Sequence, residues 1–108
     1  MKLPTEVFGN VVVVHTPEDM GEARADQINQ FLCSLDYFNV IVDLDGTESI
    51  DSDGLNALID AQEKLREMAG ELKLATTNSV NRKILEITRL DQRMDVFDSL
   101  IDAVKSFN

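Results

Sequence analysis

Basic residues are scarce in this 108-residue chain: ten Lys and Arg stand against twenty Asp and Glu, for a net charge of −10. Such a surface repels phosphate backbones and anionic headgroups, which argues against nucleic acid and the membrane as partners. A protein presenting basic residues is its natural complement. Tryptophan is absent, and Cys33 and His15 are each the only residue of their kind. A lone cysteine makes no internal disulfide, consistent with a reducing compartment, and a lone histidine has no second imidazole with which to hold a metal. Cys33 lies between Leu32 and Leu35 on a helical pattern and is expected to pack; His15 closes a run of valines and is expected to be structural. No apolar run approaches the roughly 18 residues of a membrane span. The opening Met1-Lys-Leu-Pro-Thr-Glu has no apolar stretch suited to a signal peptide. The expectation is a cytoplasmic protein folding as one compact domain over residues 1–108.

What is present is an ordered alternation of periodicities. Thr5–Phe8, Gly9-Asn10 and Val11–Val14 predict a β-hairpin, and the unbroken valines predict a strand covered on both faces. Thr16-Pro17-Glu18-Asp19 has the signature of a helix start, a hydroxyl cap followed by proline and acids. Gly21 weakens that helix, and the main helical repeat is Ile28, Phe31, Leu32 and Leu35. Val40–Val42 predicts a central parallel strand. Beyond it, Leu55, Leu58, Ile59, Leu65 and Ala69 share one face of a long helix, with Gly70 expected as its left-handed cap. Leu72–Ala75 predicts a further strand, and Val80, Ile84 and Leu85 a third helix. Asp91-Gln92-Arg93 predicts a loop and Met94–Phe97 an edge strand. Asp98 is a candidate cap for a last helix with Leu100, Ile101, Val104 and Phe107 inward. The order β-β-α-β-α-β-α-β-α implies an α/β fold: a mixed sheet of four to five strands with about four helices, mainly on one face.

The stretch from Asp43 to Gly54 is dense in carboxylates and admits three readings. Asp43-Leu-Asp45-Gly46-Thr47 after a hydrophobic strand resembles the first motif of haloacid-dehalogenase-type phosphatases, in which aspartates and magnesium act together. That family also needs a later acidic pair, for which Asp91 and Asp95 are the only candidates, and neither follows the expected strand. Asp51-x-Asp53-Gly54, with Asp60 further on, has the spacing of a calcium loop. There, however, Ser49 would be the first ligand, Asn56 stands where an apolar residue belongs, and a strand precedes the loop.

The third reading takes Asp51-Ser52-Asp53-Gly54-Leu55 together with its surroundings. A strand ending Val42-Asp43-Leu44, a short loop, and Asp-Ser-x-Gly-Leu opening an amphipathic helix resemble the STAS domain, and more narrowly the anti-sigma-factor antagonists. The hairpin, the Leu72–Ala75 strand, the Val80–Thr88 segment and Val96-Phe97-Asp98 extend the likeness over nearly the whole chain. The resemblance implies a switch with no catalytic residue, cofactor or metal of its own. Ser52 would be phosphorylated by an anti-sigma factor that is also a serine kinase, and a serine phosphatase would reverse the mark. Glu48, Asp51, Asp53, Gly54 and Asn56 would form the partner-binding surface. Two positions depart from the family's pattern. Asp53 follows the serine where a small residue is usual, and Gly21 stands near the place of an aspartate that opens the first helix. A STAS adaptor that is never phosphorylated, such as a structural subunit of a larger assembly, is the alternative.

Overall fold

The structure is a computed structural model that describes residues 2–107. Strands β1 (Thr5–Phe8) and β2 (Val11–His15) form the hairpin, with Gly9 taking the left-handed conformation at φ 63° that its turn requires. There follow β3 (Asp19–Met20), α1 (Glu22–Cys33), β4 (Asn39–Asp43), β5 (Ser49–Ile50), α2 (Ser52–Glu67), β6 (Glu71–Ala75) and α3 (Ser79–Ile87). A 3-10 turn (Leu90–Gln92), β7 (Val96–Phe97) and α4 (Leu100–Lys105) complete the chain. The main sheet has five strands in the order β1-β2-β4-β6-β7, antiparallel at β1–β2 and parallel elsewhere. This is the mixed α/β sheet that the order of periodicities implies.

Strand alternation sorts the core. Val12, Val14, Val40, Val42, Leu72 and Leu74 point to one face, where Ile28 and Leu32 of α1, Leu58 and Leu65 of α2, and Leu85 of α3 cover them. Val11, Val13, Ile41 and Ala75 point to the other, against Ala103, Leu100 and Val104 of α4. The valine run is therefore buried on both sides, three helices against one. Because β2, β4 and β6 are parallel, their C-terminal ends share one rim, and the loops leaving that rim carry the acidic stretch.

Several local expectations are overturned. Thr16 does not cap a helix: its hydroxyl donates to the Asp43 carbonyl at 3.1 Å, and the chain stays extended so that β3 pairs in parallel with β5. Tertiary pairing outcompetes the local cap, and α1 begins only after Gly21. The left-handed residue ending α2 is Ala69 (φ 62°), not Gly70, which is glycine because a Cβ there would overlap the Phe38 carbonyl oxygen. Ser99 rather than Asp98 caps α4, accepting from the Asp102 N–H at 3.3 Å. Ile101 is exposed, since it falls off the stripe of Leu100, Ala103, Val104 and Phe107 that faces the sheet, and Asp91 lies in the 3-10 turn. Cys33 is half-buried against the core, its thiol pushed up by burial and by Asp60, with Lys64 opposing.

Candidate functional site

Ser52 is the first residue of α2 and is exposed. The Asp51 side chain before it caps the helix: Oδ1 accepts from the Asp53 N–H at 3.0 Å and the Gly54 N–H at 3.1 Å. Its other oxygen accepts from the Glu22 N–H at 3.1 Å, so one carboxylate ties together the starts of α1 and α2. Two positive helix ends converging on one negative group is an electrostatically favourable arrangement. Gly54, a candidate contact residue, is buried and has no surface to offer. A Cβ there would overlap the Met20 carbonyl oxygen, so its role is to let the first turn of α2 lie against β3.

Glu48, Asp53 and Asn56 are exposed around Ser52. The Glu18 carbonyl accepts from the Glu48 and Ser49 N–H groups at 2.8 and 3.1 Å, which sets the Glu18 and Glu48 carboxyls side by side. Hydrogen bonding to Glu18, then its charge, raise the Glu48 pKa from its ordinary value. Between α1 and α2 runs an open groove of about 330 Å³ whose charged lining is Glu22, Asp26, Asp53 and Asp60. Sequence reasoning assigned this acidity to the Glu48–Asn56 stretch and missed the share that α1 contributes. The signal for it was Asp19 and Glu22 on either side of Gly21.

The other acids of the stretch serve as struts. Asp43 Oδ2 meets His15 Nδ1 at 2.8 Å and Oδ1 accepts from the Asp45 N–H at 3.0 Å. Asp45 accepts from the Thr77 N–H at 2.6 Å and from the Thr76 and Thr77 hydroxyls at 3.1 and 3.0 Å. Asp95 lies 3.9 Å from Lys73. The dehalogenase-like letters thus spell a loop anchor. Asp51 spends both oxygens on backbone N–H groups, while Asp53 and Asp60 lie along one helix. Among the described residues no group of three His, Cys, Asp or Glu is placed to hold a metal ion. Two buried partners of this loop were not foreseen. Asn81 of α3 donates to the Leu44 and Thr47 carbonyls at 3.1 and 2.9 Å, and the Thr47 hydroxyl donates to the Pro17 carbonyl at 2.6 Å.

A sequence model of the STAS domain matches residues 2–103. The chain belongs to the STAS domain family. A Thermotoga neapolitana protein named as a homolog of TM1081 is 21% identical over 106 residues, 94% of each chain. An anti-sigma factor antagonist from Mycobacterium paratuberculosis has the same fold at TM-score 0.84, with 22% identity over 97% of this chain and 92% of that one. The Bacillus protein SpoIIAA in its phosphorylated form aligns at TM-score 0.73, with 17% identity over 99% of this chain and 100% of that one. In its unphosphorylated form it gives 0.72 and 15%, over 97% and 96%.

Within the STAS fold, the geometry accounts for the departure at Gly21. No side chain of residue 21 caps α1; instead Asp19 accepts from the Gly21 N–H at 2.9 Å and Asp51 from the Glu22 N–H. A Cβ at residue 21 would stand 3.0 Å from Asp19 Oδ1 and 3.2 Å from Asp51 Oδ2. The carboxylates that flank the position do the work that a side chain there would otherwise do. Among the described residues no helix is long and apolar enough to cross a membrane.

Proposed function

We propose that this STAS domain is an anti-sigma factor antagonist, a regulatory binding protein that acts in the cytoplasm without catalysis of its own. Its unphosphorylated form binds an anti-sigma factor with serine kinase activity, through the rim bearing Glu48, Asp51, Asp53 and Asn56. Phosphorylation of Ser52 by that partner releases it, and a serine phosphatase restores binding. The observation that carries the reading is the position of Ser52: an exposed hydroxyl at the first residue of a helix that is clamped in place by Asp51 and Gly54.

Phosphate adds about −1.5 to −2 charges and three acceptor oxygens. The N–H groups of Asp53 and Gly54 already serve Asp51, so a phosphate on Ser52 gains little from the helix end and projects outward. In the complex it would be buried with the Asp53 carboxylate beside it, and like-charge repulsion together with desolvation of the phosphate separates the two proteins. The rim itself needs no rearrangement. Carboxylates around the serine, including Glu18, Glu22 and Asp26, suit a basic partner surface, so association slows as salt rises.

A second reading, the adaptor that is never phosphorylated, draws on the same geometry. Asp53 stands beside Ser52 and repels an incoming phosphoryl group, and Asp51 leaves it few free N–H donors. Intact-mass measurement after incubation with ATP and a serine kinase of histidine-kinase-like ATP-binding fold separates the two. One phosphoryl group on the wild type and none on Ser52→Ala supports the switch. An unlabelled wild type that still binds the kinase leaves the adaptor, and labelling of Ser52→Ala refutes the assignment of Ser52.

A further inference from the structure

The outward face of α3 is unlike the rest of the surface. Val80 and Ile87 stand two turns apart on the side away from the buried Asn81 and Leu85, and between them Ile84 is half-buried, packed against the core. Val80 and Ile87 are 64% and 71% exposed. Arg82, Lys83, Arg89 and Arg93 are four of the ten basic residues of the chain, gathered into twelve positions that hold only Glu86 and Asp91 as acids. Arg82 is tied to Asp98 at 2.9 Å and to Glu86 at 3.7 Å. Lys83, Arg89 and Arg93 are exposed and form no ion pair among the described residues. On a molecule of net charge −10, this is an apolar stripe with a basic margin.

We propose that this face docks an acidic, amphipathic helix of a protein partner. Exposed apolar side chains grouped on one helix face mark interaction surfaces, and Val80 and Ile87 at i and i+7, with the half-buried Ile84 at i+4 between them, match the apolar seam of another helix. Its charge selects the occupant. Carboxylates flanking that seam would meet Lys83, Arg89 and Arg93, whereas a basic helix would be repelled. A second copy placed symmetrically would oppose like charges, and the acidic groove between α1 and α2 has no exposed aliphatic residue with which to fill the stripe. Nucleic acid and anionic bilayers are disfavoured by the net charge, and α3 is only nine residues long. The interface is small and therefore of low affinity. It is independent of Ser52 and would let the domain hold an acidic partner and a basic one together.

The test is fluorescence anisotropy of a labelled synthetic peptide of about sixteen residues, long enough to form a helix on contact. It carries Leu at positions i, i+4 and i+7 with Glu on the flanking faces; its control has Lys in place of every Glu. Saturable binding of the Glu peptide, weakened about tenfold or more by Ile87→Ser or by Lys83→Glu with Arg93→Glu, is the expected result. These residues are exposed, so the variants keep the fold, checked by melting temperature. Arg89→Gly sharpens the test: it relieves the left-handed backbone at φ 63°, so it should raise the melting temperature while weakening binding. Ser52→Asp should leave peptide affinity unchanged, so failure here and failure of the Ser52 switch are told apart. The proposal is overturned by no saturable binding of the Glu peptide, by equal affinity for the Lys control, or by variants without effect. Capture by phosphatidylserine vesicles in place of the peptide, or self-association lost in Ile87→Ser, would also overturn it.

Discussion

Two helices leave the same rim of the sheet with nearly the same local start. In α2 the cap is Asp51, whose side chain accepts from Asp53 and Gly54; in α3 it is Asn78, whose side chain accepts from Val80 and Asn81. Each cap is followed by an exposed serine, Ser52 or Ser79. The second helical residue is a carboxylate in one and an exposed valine in the other. The third is Gly54, which makes room for the Met20 carbonyl, against Asn81, which reaches out to two carbonyls. Capping chemistry alone therefore does not define a site. What distinguishes Ser52 from Ser79 is the company: an acidic rim shared with α1 against a basic, apolar face.

The comparison can be broken most severely at the third helical residue. Gly54→Ala drives a methyl into backbone, so urea unfolding should show a loss of about 3 kcal/mol; a loss below about 1 kcal/mol would mean that α2 is free to slide off β3. Asn81→Ala leaves the Leu44 and Thr47 carbonyls without their buried donor and should cost about 2 kcal/mol in the same experiment. The caps come next. Asp51→Ala should cost about 1–2 kcal/mol and Asn78→Ala about 1, because only Asp51 also serves a neighbouring helix. Equal losses would show that the bond to Glu22 adds nothing.

The serines test function rather than stability. Ser52→Asp should weaken partner binding at least about tenfold, or roughly 1.4 kcal/mol, while Ser79→Asp leaves it unchanged. By calorimetric titration, equal losses at both positions would erase the distinction drawn between them. The smallest effect lies beneath the acidic loop, at His15. Burial lowers its pKa, but its contacts with Glu6 at 2.7 Å and Asp43 at 2.8 Å outweigh that and raise it above the ordinary value. An imidazole that donates to both carboxylates must be protonated. Its contribution is therefore fully present below about pH 6.5 and is lost as pH rises through the raised folded value. The melting-temperature gap between wild type and His15→Gln should narrow from about pH 6 to about pH 9. A gap that widens over that range would reverse the sign.

The sequence by itself determined whatever is local and periodic. Two-residue turn chemistry at Gly9-Asn10, the short unbroken apolar runs Val11–Val14 and Val40–Val42, and the helical repeat after Ser52 were legible because each is enforced within a few residues by backbone geometry and apolar spacing. The strand-to-helix junction at Asp51-Ser52 could be read for the same reason. Tertiary structure decided what depends on residues far apart in the chain. Thr16 has every local mark of a cap, yet its hydroxyl goes to a carbonyl twenty-seven positions away, because β3 gains more by pairing with β5. Asp51 and Gly54 were both read as part of a binding surface, yet Asp51 holds the starts of two helices and Gly54 is buried beneath β3. The glycine at residue 70 suggested a turn and proved to be a matter of space against Phe38. Local signals state which conformations a segment can adopt; the long-range hydrogen bonds and close approaches that select among them exist only once the sheet has brought those segments together.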